Sequence, residues 1–204
     1  MIGPLYFVTD AGAPAPVAEQ ALAVARAGVR IVQLRDKTAS DAEMIETARA
    51  LRGALAPLGT RLIVNDRVEV AIKAEADGLH IGQGDGDPRA IRDRIGHDML
   101  LGLSIDALAQ LDAVPPDCVD YLGVGPLRAT ASKPDHAAPI GLDGVARAVA
   151  QSDLPVFAIG GVTARDAPAL KATGAVGMAV VSAISRAQDM EAAARALIDA
   201  WRDP

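Results

Sequence analysis

Gln33, Arg35 and Lys37 occupy alternate positions of Gln33-Leu34-Arg35-Asp36-Lys37, where a short apolar run ends. If that run is a strand, the three side chains share one side of it. Two cations and an amide converging there would hold a polyanion, because Arg and Lys neutralise phosphate oxygens. The plainer alternative is a solvated, ion-paired turn. Asn65-Asp66-Arg67 and His80-Ile81-Gly82-Gln83-Gly84-Asp85 close two further apolar runs, which puts Asp66 and Asp85 just past neighbouring strand ends. Two carboxylates beside a cationic phosphate site suit Mg²⁺, which takes one or two carboxylates plus substrate phosphate oxygens. Taken singly, Asp66 reads sooner as a helix N-cap and Asp85 as a turn residue than as metal ligands; their joint placement beside Gln33, Arg35 and Lys37 is what favours the metal.

Two further glycine- or serine-marked turns are Gly160-Gly161-Val162-Thr163 and Val181-Ser182-Ala183. Glycine lets backbone N–H groups approach phosphate closely, although Gly160-Gly161 alone is also a plain tight turn. The stretch 125–140 has no periodicity and carries Thr130, Ser132 and Lys133. A loop of this length is functional or a flexible connection. Its two hydroxyls and its ammonium could close over an anion.

Other chemistries lack their residues. The chain has 3 His, namely His80, His97 and His136, too far apart for a zinc pattern. His80 reads as a structural hydrogen-bonding residue rather than a base. The single cysteine, Cys118, excludes an intrachain disulfide and reads as a small core residue. No nucleophile-elbow G-x-S-x-G occurs. Lys37, Lys73, Lys133 and Lys171 all lie outside apolar strands, which disfavours a Schiff-base aldolase.

What must position these groups is an alternation of short apolar runs and alanine-rich helical stretches. The strands are expected at 5–9, 30–34, 61–65, 78–81, 99–103, 119–124, 155–159 and 175–181. Helices are expected at about 16–27, 41–56, 68–75, 88–95, 106–111, 143–151, 164–173 and 190–201. Ser40 and Glu43 form a capping box at the start of the second helix. Continuous apolar strands, each followed by a helix, predict a parallel sheet covered on both faces. The repeated pattern predicts a closed (β/α)8 TIM barrel occupying residues 1–204 as a single α/β domain. An open doubly wound sheet is the alternative, but Thr9-Asp10-Ala11-Gly12-Ala13-Pro14 lacks the glycine fingerprint of its first turn. In a barrel, the candidate residues above all collect at the C-terminal ends of the strands. The last two turns then fall after the seventh and eighth strands, a frequent phosphate site.

Composition narrows the partners. The 204 residues carry 20 Lys+Arg against 26 Asp+Glu, a net charge of −6, and only 2% are aromatic. A nucleic-acid or anionic-membrane surface is therefore not expected. No apolar run approaches the ~18 residues that span a bilayer. The N-terminus reads as a strand rather than a signal peptide, so a cytoplasmic protein acting on small molecules is expected.

The motif series resembles that of the thiamine-phosphate synthase family. The matching segments are Gln33–Lys37, Asn65–Val68, His80–Asp85, Gly102–Ser104, Gly123–Pro126, Thr130–Asp135, Gly160–Val162 and Val181–Ile184. They occur in the family's order and extend nearly over the whole chain. The resemblance implies a (β/α)8 barrel and a transferase. It would join 4-amino-5-hydroxymethyl-2-methylpyrimidine diphosphate to 4-methyl-5-(2-hydroxyethyl)thiazole phosphate, giving thiamine phosphate and diphosphate. By the same resemblance, Gln33, Arg35, Lys37, Asn65, Ser104 and Lys133 bind the pyrimidine diphosphate, with Arg35, Lys37, Ser104 and Lys133 serving catalysis. Asp66 and Asp85 hold Mg²⁺. Thr130, Ser132, Gly161, Val181 and Ser182 bind the thiazole phosphate. The chain departs from the family's habit in having Ser132 for a second Thr, Asp36 for Glu, and Arg128-Ala129 where an aromatic or Pro is usual.

The mechanism implied is loss of diphosphate first, followed by attack of the thiazole nitrogen on the pyrimidinylmethyl cation. It requires no protein nucleophile. Two rivals are a thiazole tautomerase, which needs one phosphate site and no metal, and a non-catalytic barrel that binds thiamine precursors.

Overall fold

The computed structural model describes residues 3–130 and 137–202. Each apolar run becomes a short parallel strand: β1 (Leu5–Val8), β2 (Ile31–Leu34), β3 (Arg61–Asn65), β4 (Gly78–Ile81), β5 (Leu100–Ile105), β6 (Tyr121–Val124), β7 (Val156–Ala158) and β8 (Gly177–Val180). They hydrogen-bond in chain order and β8 returns to β1, so the sheet is a closed barrel, not an open one. The helices are α1 (Val17–Arg26), α2 (Asp41–Leu55), α3 (Val68–Lys73), α4 (Pro88–Ile95), α5 (Gly141–Gln151), α6 (Ala167–Ala172), α7 (Ser182–Ser185) and α8 (Met190–Arg202).

Period-two alternation gives the barrel two cores. Outward residues such as Leu5, Phe7, Val32, Leu62, Leu79, Leu101, Leu122 and Met178 pack against helix residues including Val24, Met44, Leu51, Val145, Leu170 and Leu197. Inward residues Tyr6, Val8, Ile31, Ile63, Tyr121, Phe157 and Ala179 fill the interior. The rings of Tyr6, Tyr121 and Phe157 meet edge to face at 5.6–5.9 Å, a favoured aromatic arrangement. Cys118 is buried, as a small core residue should be.

The Ser40 capping box forms: the Glu43 amide donates to Ser40 Oγ at 3.3 Å and the Ser40 amide to Glu43 Oε2 at 2.8 Å. Three elements differ locally from those expected. The strand expected to stop at Leu103 continues to Ile105, which places Ser104 inside β5 with its side chain facing inward. The helix expected at 106–111 is instead a 3₁₀ segment, Leu108–Ala113. Gln110 Oε1 accepts from the Asp106 and Ala107 amides, and Pro115-Pro116 follows too soon for an α-helix to develop. The one-turn α7, not expected from the pattern, opens at Ser182 directly after β8.

Candidate functional site

The C-terminal strand ends surround a cavity of about 580 Å³. Gln33, Arg35, Lys37, Asn65, Asp66, Asp85, Ser104, Thr130, Gly161, Val181 and Ser182 all line it. Every candidate site residue that is described therefore faces one space. Ser132 and Lys133 lie outside the described residues.

The two clusters expected to hold phosphate lie on different parts of the rim. On the β2–β4 side, the Arg35 amide donates to Thr9 Oγ1 at 2.9 Å, fixing the backbone where β2 ends. Lys37 Nζ is ion-paired with Asp66 Oδ2. Arg67 braces this loop from below, donating to the Asp36 carbonyl at 3.0 Å, the Ala39 carbonyl at 2.7 Å and Asp41 at 3.0 Å. That explains the arginine after Asp66: it holds the backbone that carries Arg35 and Lys37.

Asp66 adopts a left-handed backbone, φ 52°, which Asp tolerates better than most residues. Its amide donates to the His80 carbonyl at 2.8 Å. It does not cap the following helix, where Arg67 stands at the N-cap with no side-chain bond. The N-cap alternative for Asp66 thus fails. Asp85 does close a turn, with Oδ2 accepting from the Gly82 amide at 2.7 Å, and it also lines the cavity. Two carboxylates among cations, open to a shared space, suit Mg²⁺ that completes its shell with substrate phosphate and water oxygens. No cluster of three or more potential His, Cys, Asp or Glu ligands occurs among the described residues, so the protein alone would supply only part of the shell.

On the opposite rim, Gly160 and Gly161 both have positive φ, 88° and 69°. The backbone after β6 runs along this turn: the Leu127 amide donates to the Ile159 carbonyl at 2.7 Å and the Arg128 amide to the Gly160 carbonyl at 3.0 Å. Arg128 then reaches over it, bonding the Gly161 carbonyl at 3.1 Å and gripping Asp166 with both guanidinium nitrogens. This bidentate partner holds the Asp166 carboxyl below the usual range. Arg128 therefore holds this loop by an ion pair.

Beneath the rim lies a buried polar chain that sequence reading did not find. Gln33 Nε2 donates to the Tyr6 hydroxyl at 2.7 Å, and the Tyr6 and Tyr121 hydroxyls are 2.9 Å apart. Tyr121 reaches His80 Nδ1 at 3.2 Å, and His80 Nε2 reaches Ser104 Oγ at 2.9 Å. Burial lowers the His80 pKa to about 4, so the ring is neutral near pH 7. Burial likewise raises both tyrosines, which stay protonated. Strand register aligns His80, Gly102 and Tyr121 side by side across β4, β5 and β6. A methyl group at Gly102 would run into both the Tyr121 hydroxyl and His80 Nδ1, so glycine is required there. The signal was the inward alternation of Tyr6 with Val8 and of Tyr121 with Gly123. In sequence it is indistinguishable from ordinary core.

The thiamine monophosphate synthase family model matches residues 5–184. The thiamine-phosphate synthase of Solidesulfovibrio magneticus is 50% identical over 198 residues, covering 95% of this chain and 92% of that protein. That of Psychrobacter sp. strain PRwf-1 is 47% identical over 199 residues, with 95% and 93% covered. Among solved structures, thiamine phosphate pyrophosphorylase from Pyrococcus furiosus superposes with a TM-score of 0.89 at 31% identity, covering 98% of this chain and 95% of that one. A 3-hexulose-6-phosphate synthase superposes with a TM-score of 0.71 at 20% identity over 97% of this chain and 99% of that one, a likeness of fold. No described helix is long and apolar enough to cross a membrane.

Proposed function

The chain belongs to the thiamine monophosphate synthase family and is a transferase with thiamine-phosphate synthase activity, and from that premise we propose how its barrel mouth performs the reaction. The observation that carries the reading is the convergence of the Gln33–Arg35–Lys37 set, the two carboxylates and the Gly160-Gly161 and Val181-Ser182 turns on one cavity. One rim takes the pyrimidine diphosphate and the opposite rim the thiazole phosphate. A tautomerase would have no use for the first rim, and a carrier no use for the carboxylate pair.

Gln33, Asn65 and Ser104 hold the pyrimidine ring end. Arg35 and Lys37 take the charge of the diphosphate, joined by Lys133 on the strength of the resemblance. Thr130, Ser132, Gly161, Val181 and Ser182 hold the thiazole phosphate. Asp66 and Asp85 would hold Mg²⁺, which when bound supplies Lewis-acid neutralisation of the diphosphate oxygens. The bond between the pyrimidinylmethyl carbon and the diphosphate oxygen breaks, and its electron pair leaves with diphosphate. The thiazole nitrogen lone pair then forms the new C–N bond, and no proton moves. The protein's part is positioning and fixed charge, the effects that dominate such sites. His80 is neutral and bonded at both nitrogens, so it takes no acid–base role. We place this chemistry in the cytoplasm, with all 204 residues acting as one domain.

The test separates the rivals. Purified protein is given thiazole phosphate alone, pyrimidine diphosphate alone, and both, each with Mg²⁺. Thiamine phosphate should form only with both. Isomerisation of a thiazole substrate alone would indicate a tautomerase, and binding of both without product would indicate a carrier.

A further inference from the structure

The chain Gln33–Tyr6–Tyr121–His80–Ser104 crosses the barrel interior from β2 to β5 through four hydrogen bonds, and both ends open into the cavity. Each interior link has one proton to give. In one proton order the Tyr6 hydroxyl accepts from Gln33 Nε2 and gives its own hydrogen to Tyr121, 2.9 Å away. The Tyr121 hydrogen then goes to His80 Nδ1, which must be unprotonated to accept it. A neutral imidazole carries its remaining proton on Nε2, which donates to Ser104 Oγ. The Ser104 hydroxyl hydrogen is thereby turned toward the cavity, and Gln33 presents its Oε1 there.

Running every proton the other way reverses both ends together. Tyr121 would donate to Tyr6, Tyr6 to the Gln33 carbonyl oxygen, His80 Nδ1 to Tyr121 and Ser104 to His80 Nε2. Gln33 would then present its NH₂ and Ser104 its lone pairs. Among the described residues, the side-chain hydrogen bonds of Tyr6, Tyr121 and His80 all run along this chain, which couples its two ends.

We propose that Tyr6, Tyr121 and His80 are positioning residues whose proton order makes Gln33 and Ser104 present opposite hydrogen-bonding polarity, selecting a ring with one N–H donor and one unprotonated ring nitrogen. An aminopyrimidine meets that demand: its amino group donates to Gln33 Oε1 and a ring nitrogen accepts from Ser104. This rests on the assignment of that side of the cavity to the pyrimidine substrate. A carbonyl accepting from the amino group also favours electron release into the ring, which stabilises the methyl cation formed when diphosphate leaves. Removing either phenol hydroxyl cuts the relay without emptying the ring's space. Gln33 and Ser104 then orient independently.

The decisive experiment begins with ¹⁵N NMR of His80 in the wild-type protein, with and without the pyrimidine diphosphate and with no thiazole substrate present. The complex should show the neutral Nε2–H tautomer. A neutral Nδ1–H tautomer or a charged ring in the saturated complex overturns the proposal. Tyr121→Phe and Tyr6→Phe should each raise KM for the pyrimidine diphosphate about tenfold, leave KM for the thiazole phosphate within about twofold, and give mixed His80 tautomers. Equal shifts in both KM values, or no shift in either, contradict the relay. If a variant does not fold, the wild-type tautomer still decides the matter. Failure of the functional assignment looks different: the wild-type protein would make no thiamine phosphate at all.

Discussion

Lys37 Nζ sits on Asp66 Oδ2, so a cation assigned to phosphate and a carboxylate assigned to metal neutralise each other across the β2 and β3 loops. On the proposed assignment, loading the site would separate them, the ammonium turning to the polyanion and the carboxylate to Mg²⁺. The pair makes the bare mouth less charged than its residues alone suggest. Lys37 is more than half exposed, so the ion pair itself adds little to stability.

Asp66→Ala and Asp85→Ala should each lower turnover by more than a hundredfold at saturating Mg²⁺. A hundredfold is about 2.7 kcal/mol of transition-state stabilisation, within what a metal ligand supplies. Both residues sit on the rim, outside the packed cores, so melting temperature should change by no more than a few degrees. Chelation of Mg²⁺ should likewise stop the wild-type reaction and leave the melting temperature nearly unchanged. Turnover and thermal melts on the same preparations check this, and near-wild-type rates in both variants would remove the metal assignment.

Gly161→Val should weaken the thiazole phosphate more than tenfold and the pyrimidine diphosphate less than threefold. Gly161 has φ 69°, and an added Cβ would lie 3.0 Å from Arg128 Cβ. A β-branched residue cannot hold that backbone, so the turn on the thiazole side must shift. Calorimetry with each substrate is the measurement, and equal losses would mean the two rims are misassigned.

Arg128→Ala removes the clamp that ties the backbone after β6 to Asp166 and the Gly161 carbonyl. Arg128 is half exposed, so the stability cost should be modest, about 1 kcal/mol. The functional effect should be on the thiazole side: a severalfold rise in KM for that substrate with the pyrimidine KM unchanged. Steady-state kinetics that moved only the pyrimidine KM would contradict this.

The barrel was legible because its strands are continuous apolar runs separated by glycine- and proline-marked turns, and the cavity residues were legible because they end those runs. Asp66 was harder, since an N-cap and a rim carboxylate look alike until Arg67 is seen at the helix start. The apolar run ends at Leu103 in the sequence, yet β5 continues through Ser104 to Ile105, because a polar residue facing a cavity breaks the run just as a turn does. Tyr6, Tyr121 and Gly102 were not legible as a unit. Their relation depends on the register of β4, β5 and β6 and on closure of β8 onto β1, which no local pattern encodes.

His80 gives the fold a specific acid sensitivity. Its pKa is about 4 in the folded protein and about 6.5 in an unfolded chain. Between those values the unfolded chain binds a proton that the native state refuses, so stability is highest above pH 6.5 and falls as pH drops toward 4. By pH 5 this single group should cost about 2 kcal/mol relative to pH 7. Urea denaturation at the two pH values should show that loss in the wild type and a smaller one in His80→Gln. Identical pH dependence in both proteins would show that His80 is not the group responsible.

The most direct test is whether one cavity joins two phosphorylated substrates with loss of diphosphate. A ³¹P NMR time course on the purified protein with both substrates and Mg²⁺ reads every phosphorus species at once. Diphosphate and thiamine phosphate should appear together in equal amounts as both substrates disappear. Diphosphate accumulating without thiamine phosphate, or both substrates persisting unchanged, would contradict it.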